Sequence, residues 1–187
     1  MAKAGDVIEN PVTGERIVFL QTAEETGGEL LRADLFVRPG GFVAAEHVHP
    51  HQQERFTVRS GTVRLRMRGE DRDYRSGEEA IVPAGTPHVW WNAGEDELHV
   101  EVELRPAGRF EAFLTSFFGL AQAGKTNARG MPNFLQLAVV AREYSDVIYP
   151  TSPPTSVQKV LFGLLAPVGR MLGYKADEPY VASVRQE

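Results

Sequence analysis

GFVAAEHVHPHQQERFTVRSG, residues 41–61, sets two histidines two positions apart, then a proline-led turn, then a glutamate at the head of an alternating run. Successive side chains of a strand point to opposite faces, so His47 and His49 point the same way. Pro50 cannot donate to a sheet ladder, and with His51, Gln52 and Gln53 it reads as the turn that sends the chain back antiparallel. Glu54 opens the return strand. With Glu54 facing the histidines, Phe56 and Val58 follow on the inner face, while Arg55, Thr57 and Arg59 look outward. The pattern predicts three metal-ligating side chains aimed at one point.

A second stretch, GEEAIVPAGTPHVWWN at residues 77–92, completes the first. Pro83, Gly85 and Pro87 force tight turning, after which His88 begins a strand with Trp90 on its own face. His88 is the fourth candidate donor. Three imidazoles and one carboxylate suit a borderline divalent transition metal and leave room for water, dioxygen or a substrate oxygen.

These two stretches resemble the two motifs of the cupin superfamily. The first family motif is Gly, five residues, His, one, His, three or four, Glu, six, Gly, which Gly41, His47, His49, Glu54 and Gly61 fit. The second is Gly, five, Pro, one, Gly, two, His, three, Asn, which Gly77, Pro83, Gly85, His88 and Asn92 fit without a gap. The resemblance implies a mainly β fold, a cupin-type jelly-roll β-barrel with the metal inside near one mouth. It places that barrel in residues 1–105, and the change of period from residue 106 makes residues 106–187 an appended C-terminal α-helical segment. The implied ligands are His47, His49, Glu54 and His88 around one divalent transition metal. Cytosolic supply favours Fe or Mn, and Ni, Cu, Co and Zn are compatible. The family hosts oxygenases and isomerases, so the expectation is an enzyme on a small organic substrate, with Glu54 also serving as general base. The alternative is a non-catalytic small-ligand-binding or sensing module. Phe56, Met67 and Trp90 are barrel-core residues and the candidates for a substrate pocket.

Composition bounds the remaining classes. The chain has 187 residues, 42% of them hydrophobic and 24% charged, as in ordinary globular proteins. A net charge of −5 argues against a nucleic-acid binder. The absence of cysteine excludes disulfides, thiolate metal sites and cysteine nucleophiles. No apolar run of signal-peptide length opens the chain and none reaches about 18 residues, so a cytoplasmic protein without membrane association is expected.

Along the chain, residues 10–14 read as a hairpin turn and residues 30–38 as a strand with Leu31, Ala33, Leu35 and Val37 on one face. Val63, Leu65 and Met67 alternate with Arg64, Arg66 and Arg68. Val100, Val102 and Leu104 alternate with His99, Glu101 and Glu103, and the two charged faces are complementary in sign. His51 and His99 read as surface histidines. From residue 106 the period changes from two to 3.6. Residues 110–121, 133–144 and 154–172 read as helices, the third capped by a hydroxyl of TSPPTS and bent or ended early by Pro167 and Gly169. So apolar a tail is expected to pack on the barrel, cover a mouth or grip a second subunit, and a homodimer is the expected assembly.

Overall fold

The alternating runs become strands, and their apolar sides face one another across a barrel. The computed structural model describes residues 2–178. Ten strands come first: β1 (Val7–Asn10), β2 (Glu15–Gln21), β3 (Leu31–Val37), β4 (His47–Val48), β5 (Gln53–Ser60), β6 (Thr62–Met67), β7 (Glu70–Arg75), β8 (Glu79–Val82), β9 (His88–Asn92) and β10 (Leu98–Arg105). Helices α1 (Phe110–Gln122) and α2 (Phe134–Glu143), a short strand β11 (Tyr149–Pro150) and helix α3 (Thr155–Met171) follow. The strands form two antiparallel sheets, ordered β1-β2-β3-β10-β5-β8 and β11-β4-β9-β6-β7. Strict alternation on β3 buries Leu31, Ala33, Leu35 and Val37, as expected, and β10 does the same with Val100, Val102 and Leu104.

The arginine face of β6 finds its partners on β7, not on β10. Arg64 and Arg66 lie directly opposite Asp73 and Asp71, and each guanidinium engages both carboxylate oxygens of its partner. Glu101 of β10 instead accepts from Arg59 of the adjacent β5 at 2.9 Å. Hairpin neighbours meet first because the two-residue connection of β6 to β7 fixes their register.

The tail forms the three expected helices, with two corrections. α2 begins as a capped helix, the Asn133 side chain accepting from the Gln136 N–H at 3.0 Å. α3, by contrast, starts after both prolines with Pro154 at its cap and no side-chain cap. Gln158 Nε2 ties that end down by donating to the Pro150 and Pro153 carbonyls. Neither Pro167 nor Gly169 ends α3, which runs on to Met171. Gly169 marks a close approach of α3 to α2: a Cβ there would stand 2.8 Å from Val139 Cγ2 and 3.1 Å from the Leu135 carbonyl oxygen.

This contrast gives a stability test within one helix. Gly169→Val is expected to destabilise the protein by about 2 kcal/mol, because overpacking pushes α3 off α2. Gly163→Ala, whose Cβ would meet only the end of the Arg142 side chain at 3.4 Å, should instead stabilise by about 0.5–1 kcal/mol through helix propensity. Urea denaturation of both variants checks the pair, and equal stability of Gly169→Val and the parent would refute the close packing.

Candidate metal centre

His47 and His88 are brought together by register, since they lie directly opposite one another on β4 and β9. Their ring centroids are 4.3 Å apart. His49 follows just beyond β4, and Glu54 enters from β5 in the other sheet. All four side chains are buried, and one donor atom from each lies within 4.8 Å of the others.

Backbone carbonyls set which ring nitrogen faces the centre. His47 Nδ1 lies 2.9 Å from the Ala45 oxygen, His88 Nδ1 3.0 Å from that of Thr86, and His49 Nδ1 3.1 Å from that of Val147. A carbonyl can only accept, so each Nδ1 carries the proton and each Nε2 is left for the centre. Glu54 Oε2 sits 2.9 Å from His88 Nε2 and 3.6 Å from His49 Nε2. His49 Nε2 is buried without a hydrogen-bond partner among the described residues. A buried nitrogen lone pair left unsatisfied is costly, and a cation among these four groups would satisfy it.

The protonation pattern of the metal-free cluster follows from the same geometry. Burial, then the neighbouring His88 and His49, hold His47 well below the ordinary imidazole range. Burial lowers His49 as well, and the nearby Glu54 only partly offsets it. Burial alone would raise Glu54, but the hydrogen bond to His88 and the fields of His49 and His88 outweigh it and keep it ionised. Burial likewise opposes charge on His88, yet the bond to Glu54 raises it. The cluster thus offers two neutral imidazoles and a carboxylate–imidazole pair sharing a proton that a cation would displace.

The tail reaches this centre directly. Val147, just after α2, supplies the carbonyl that orients His49, and Phe110 of α1 meets the His49 ring edge-on at 5.0 Å. β11 extends the sheet beside β4, pairing Pro150 with His47 and Tyr149 with Val48. The sequence reading missed these contacts. Their only local signal is Val147-Ile148-Tyr149, an apolar run too short for a helix.

Beside the cluster lies a cavity of about 140 Å³. It is lined by Ile17, Leu35 and Trp90 of the barrel, by Phe113 and Phe117 of α1, and by Tyr144 just after α2. Of the three residues expected to line a pocket, Trp90 does. Phe56 and Met67 are not among its lining residues. Phe56 sits in the core with its ring 6.4 Å from Trp90, and Met67 packs against the core opposite His88 on β6. The helices bring rings that the barrel pattern could not foretell. Glu15 is a second missed residue: in phase with Ile17 and Phe19 on β2, it turns a carboxyl inward and lines the same cavity. His51 is exposed, and His99, on the outer face, bonds Asp34 at 2.8 Å and stacks on Phe36.

Residues 35–104, which run from the middle of β3 to the penultimate residue of β10 and carry all four donors, match the model of the cupin domain. The barrel belongs to the cupin superfamily. Solved structures similar to this cupin include a "predicted oxalate decarboxylase" from Thermotoga maritima, with 20% identity over 49% of this chain and 80% of that one, TM-score 0.47. A sugar phosphate isomerase of the cupin superfamily from Silicibacter pomeroyi shares 21% identity over 50% of this chain and 60% of that one, TM-score 0.45. KdgF from a Halomonas species shares 19% over 54% and 87%, TM-score 0.46. No curated protein sequence matches the chain. Among the described residues, no helix is long and apolar enough to cross a membrane.

Proposed function

We propose that this cupin is a metal-dependent enzyme acting on a small, largely apolar organic molecule, of oxygenase type rather than sugar-phosphate isomerase type. One observation carries this reading: the His47, His49, Glu54 and His88 cluster adjoins a cavity walled by aliphatic and aromatic side chains, with no lysine or arginine among the lining residues. A phosphate-bearing substrate would find no charge-assisted partner there. A divalent ion such as iron or manganese held by the four residues would supply Lewis acidity and activate dioxygen. Glu54 is the group suited to accept a substrate proton at Oε2, the atom it already shares with His88. The apolar walls exclude water from that transfer.

The test begins with elemental analysis of protein purified without an affinity metal, followed by anaerobic loading with Fe(II) or Mn(II). Substrate-dependent dioxygen uptake with phenols, diketones or keto acids is the expected result. Stabilisation by such compounds without product would move the protein to the non-catalytic binding class. A full equivalent of zinc with no oxygen uptake after exchange would overturn the oxygenase reading.

A further inference from the structure

The cavity has a second polar end. Glu15 is 7% exposed, yet it sits on the inward side of β2 where Ile17 and Phe19 continue the same face. One carboxylate oxygen, Oε2, accepts from Thr13 Oγ1 at 2.5 Å, and no other side chain among the described residues bonds the carboxyl. Directly across the hairpin lies Asn10, whose buried Nδ2 has no hydrogen-bond partner among the described residues, though Asn10 does not line the cavity. The Glu15 carboxyl is therefore the polar group that this end presents to an otherwise apolar enclosure, where a polar occupant would find a hydrogen-bond partner.

Register places this end away from the metal-ligating cluster. Glu15 is level with Val37 on β3, whereas Glu54 is level with Leu104 and, through it, with Leu31 of the same strand. Six positions of β3 separate those levels, about 20 Å of strand, shortened by the inward reach of two glutamate side chains. Ile17, Leu35 and Val102 line the cavity along with both carboxyl residues.

Resting on the proposed metal-centre function, we propose that Glu15 is a recognition group for the far end of the substrate. The substrate class is an elongated, mainly apolar molecule with an oxygen donor at each end. One end goes to the His47, His49, Glu54 and His88 cluster, and the other hydrogen-bonds the Glu15 carboxyl. Glu15 takes no part in bond making. Burial supports the donor role, since it raises the carboxyl to about 7 against a smaller opposing effect of Thr13, so that the neutral, donating form is available.

The test uses Mn(II)-loaded protein and two probes, octanoate and 8-hydroxyoctanoate, with affinities measured by calorimetry. The parent protein should bind the hydroxylated probe about fivefold to tenfold more tightly, the worth of one hydrogen bond in an apolar site. Glu15→Leu should remove or invert that preference while keeping octanoate affinity, and Glu15→Gln should retain part of it. An equal preference in the parent and in Glu15→Leu would overturn the assignment, as would failure of both probes to bind the loaded parent. Loss of metal dependence is read separately: equal octanoate binding to loaded and metal-free protein would strike the metal-centre function, while the effect of Glu15→Leu on the hydroxyl preference still judges Glu15.

Discussion

His88→Ala is expected to weaken metal binding by more than about 100-fold, beyond the loss produced when only an outer partner of a ligand is removed. Stability of the metal-free protein should fall as well, by about 3 kcal/mol, for a reason specific to this cluster. His88 is the 2.9 Å partner of Glu54 Oε2, and both side chains are almost fully buried. Removing one member of a buried pair leaves the other uncompensated, and His49 at 3.6 Å is a weaker substitute. Elemental analysis and urea denaturation measure the two effects on the same sample. His51→Ala is the control, since His51 is exposed outside the cluster and its loss should change neither quantity. A His88→Ala protein that retained a full equivalent of metal would refute the ligand set.

The centre was legible in the sequence because its geometry is local. Two positions along a strand, one turn and a return strand suffice to aim His47, His49 and Glu54 together, and the proline–glycine turns before His88 deliver the fourth donor. Strand faces were legible for the same reason: a period of two states which side is buried, as β3 and β10 show. What could not be read depends on contacts between distant residues. The carbonyl of Val147 reaches His49 across 98 positions, and any residue type supplies a carbonyl, so no side-chain pattern announces it. The same holds for the cavity wall. Phe113 and Phe117, four positions apart, share one face of the helix expected over residues 110–121, but where that face docks is decided by tertiary packing.

α3 shows the opposite error, a local rule overridden from outside. Proline and glycine inside a helix argue for a break when the helix is considered alone. Here Gly169 permits α3 to approach Val139 and the Leu135 carbonyl of α2 closely, and packing sustains the helix to Met171. Glu15 belongs with these cases. Alternation put it in phase with Ile17 and Phe19, and a charged residue at an inward position was the available signal.

Glu15→Gln is expected to change how stability depends on pH, and the sign follows from the proton balance. Burial raises the folded-state value from 4.5 to about 7. Below about pH 4.5 both the folded and unfolded chains hold this proton, and Glu15 costs nothing in charge burial. Between about 4.5 and 7 the unfolded chain releases the proton while the folded protein keeps it, so the Glu15 contribution falls as pH rises. At about 1.4 kcal/mol per unit the loss amounts to about 3 kcal/mol and is complete above pH 7. The neutral amide has no such loss, so Glu15→Gln should gain about 3 kcal/mol relative to the parent between pH 4.5 and pH 8. Other groups act in the opposite direction: His47 and His49 are lowered from 6.5, and their contribution is lost as pH falls below that value. The parent's own pH profile therefore mixes both trends, whereas the difference between the parent and Glu15→Gln cancels the histidines and isolates the carboxyl. Urea denaturation of the two proteins at pH 5 and pH 8 measures that difference. Parallel profiles would mean that Glu15 is charged in the folded protein at pH 5, and that the cavity end it occupies is wet rather than dry.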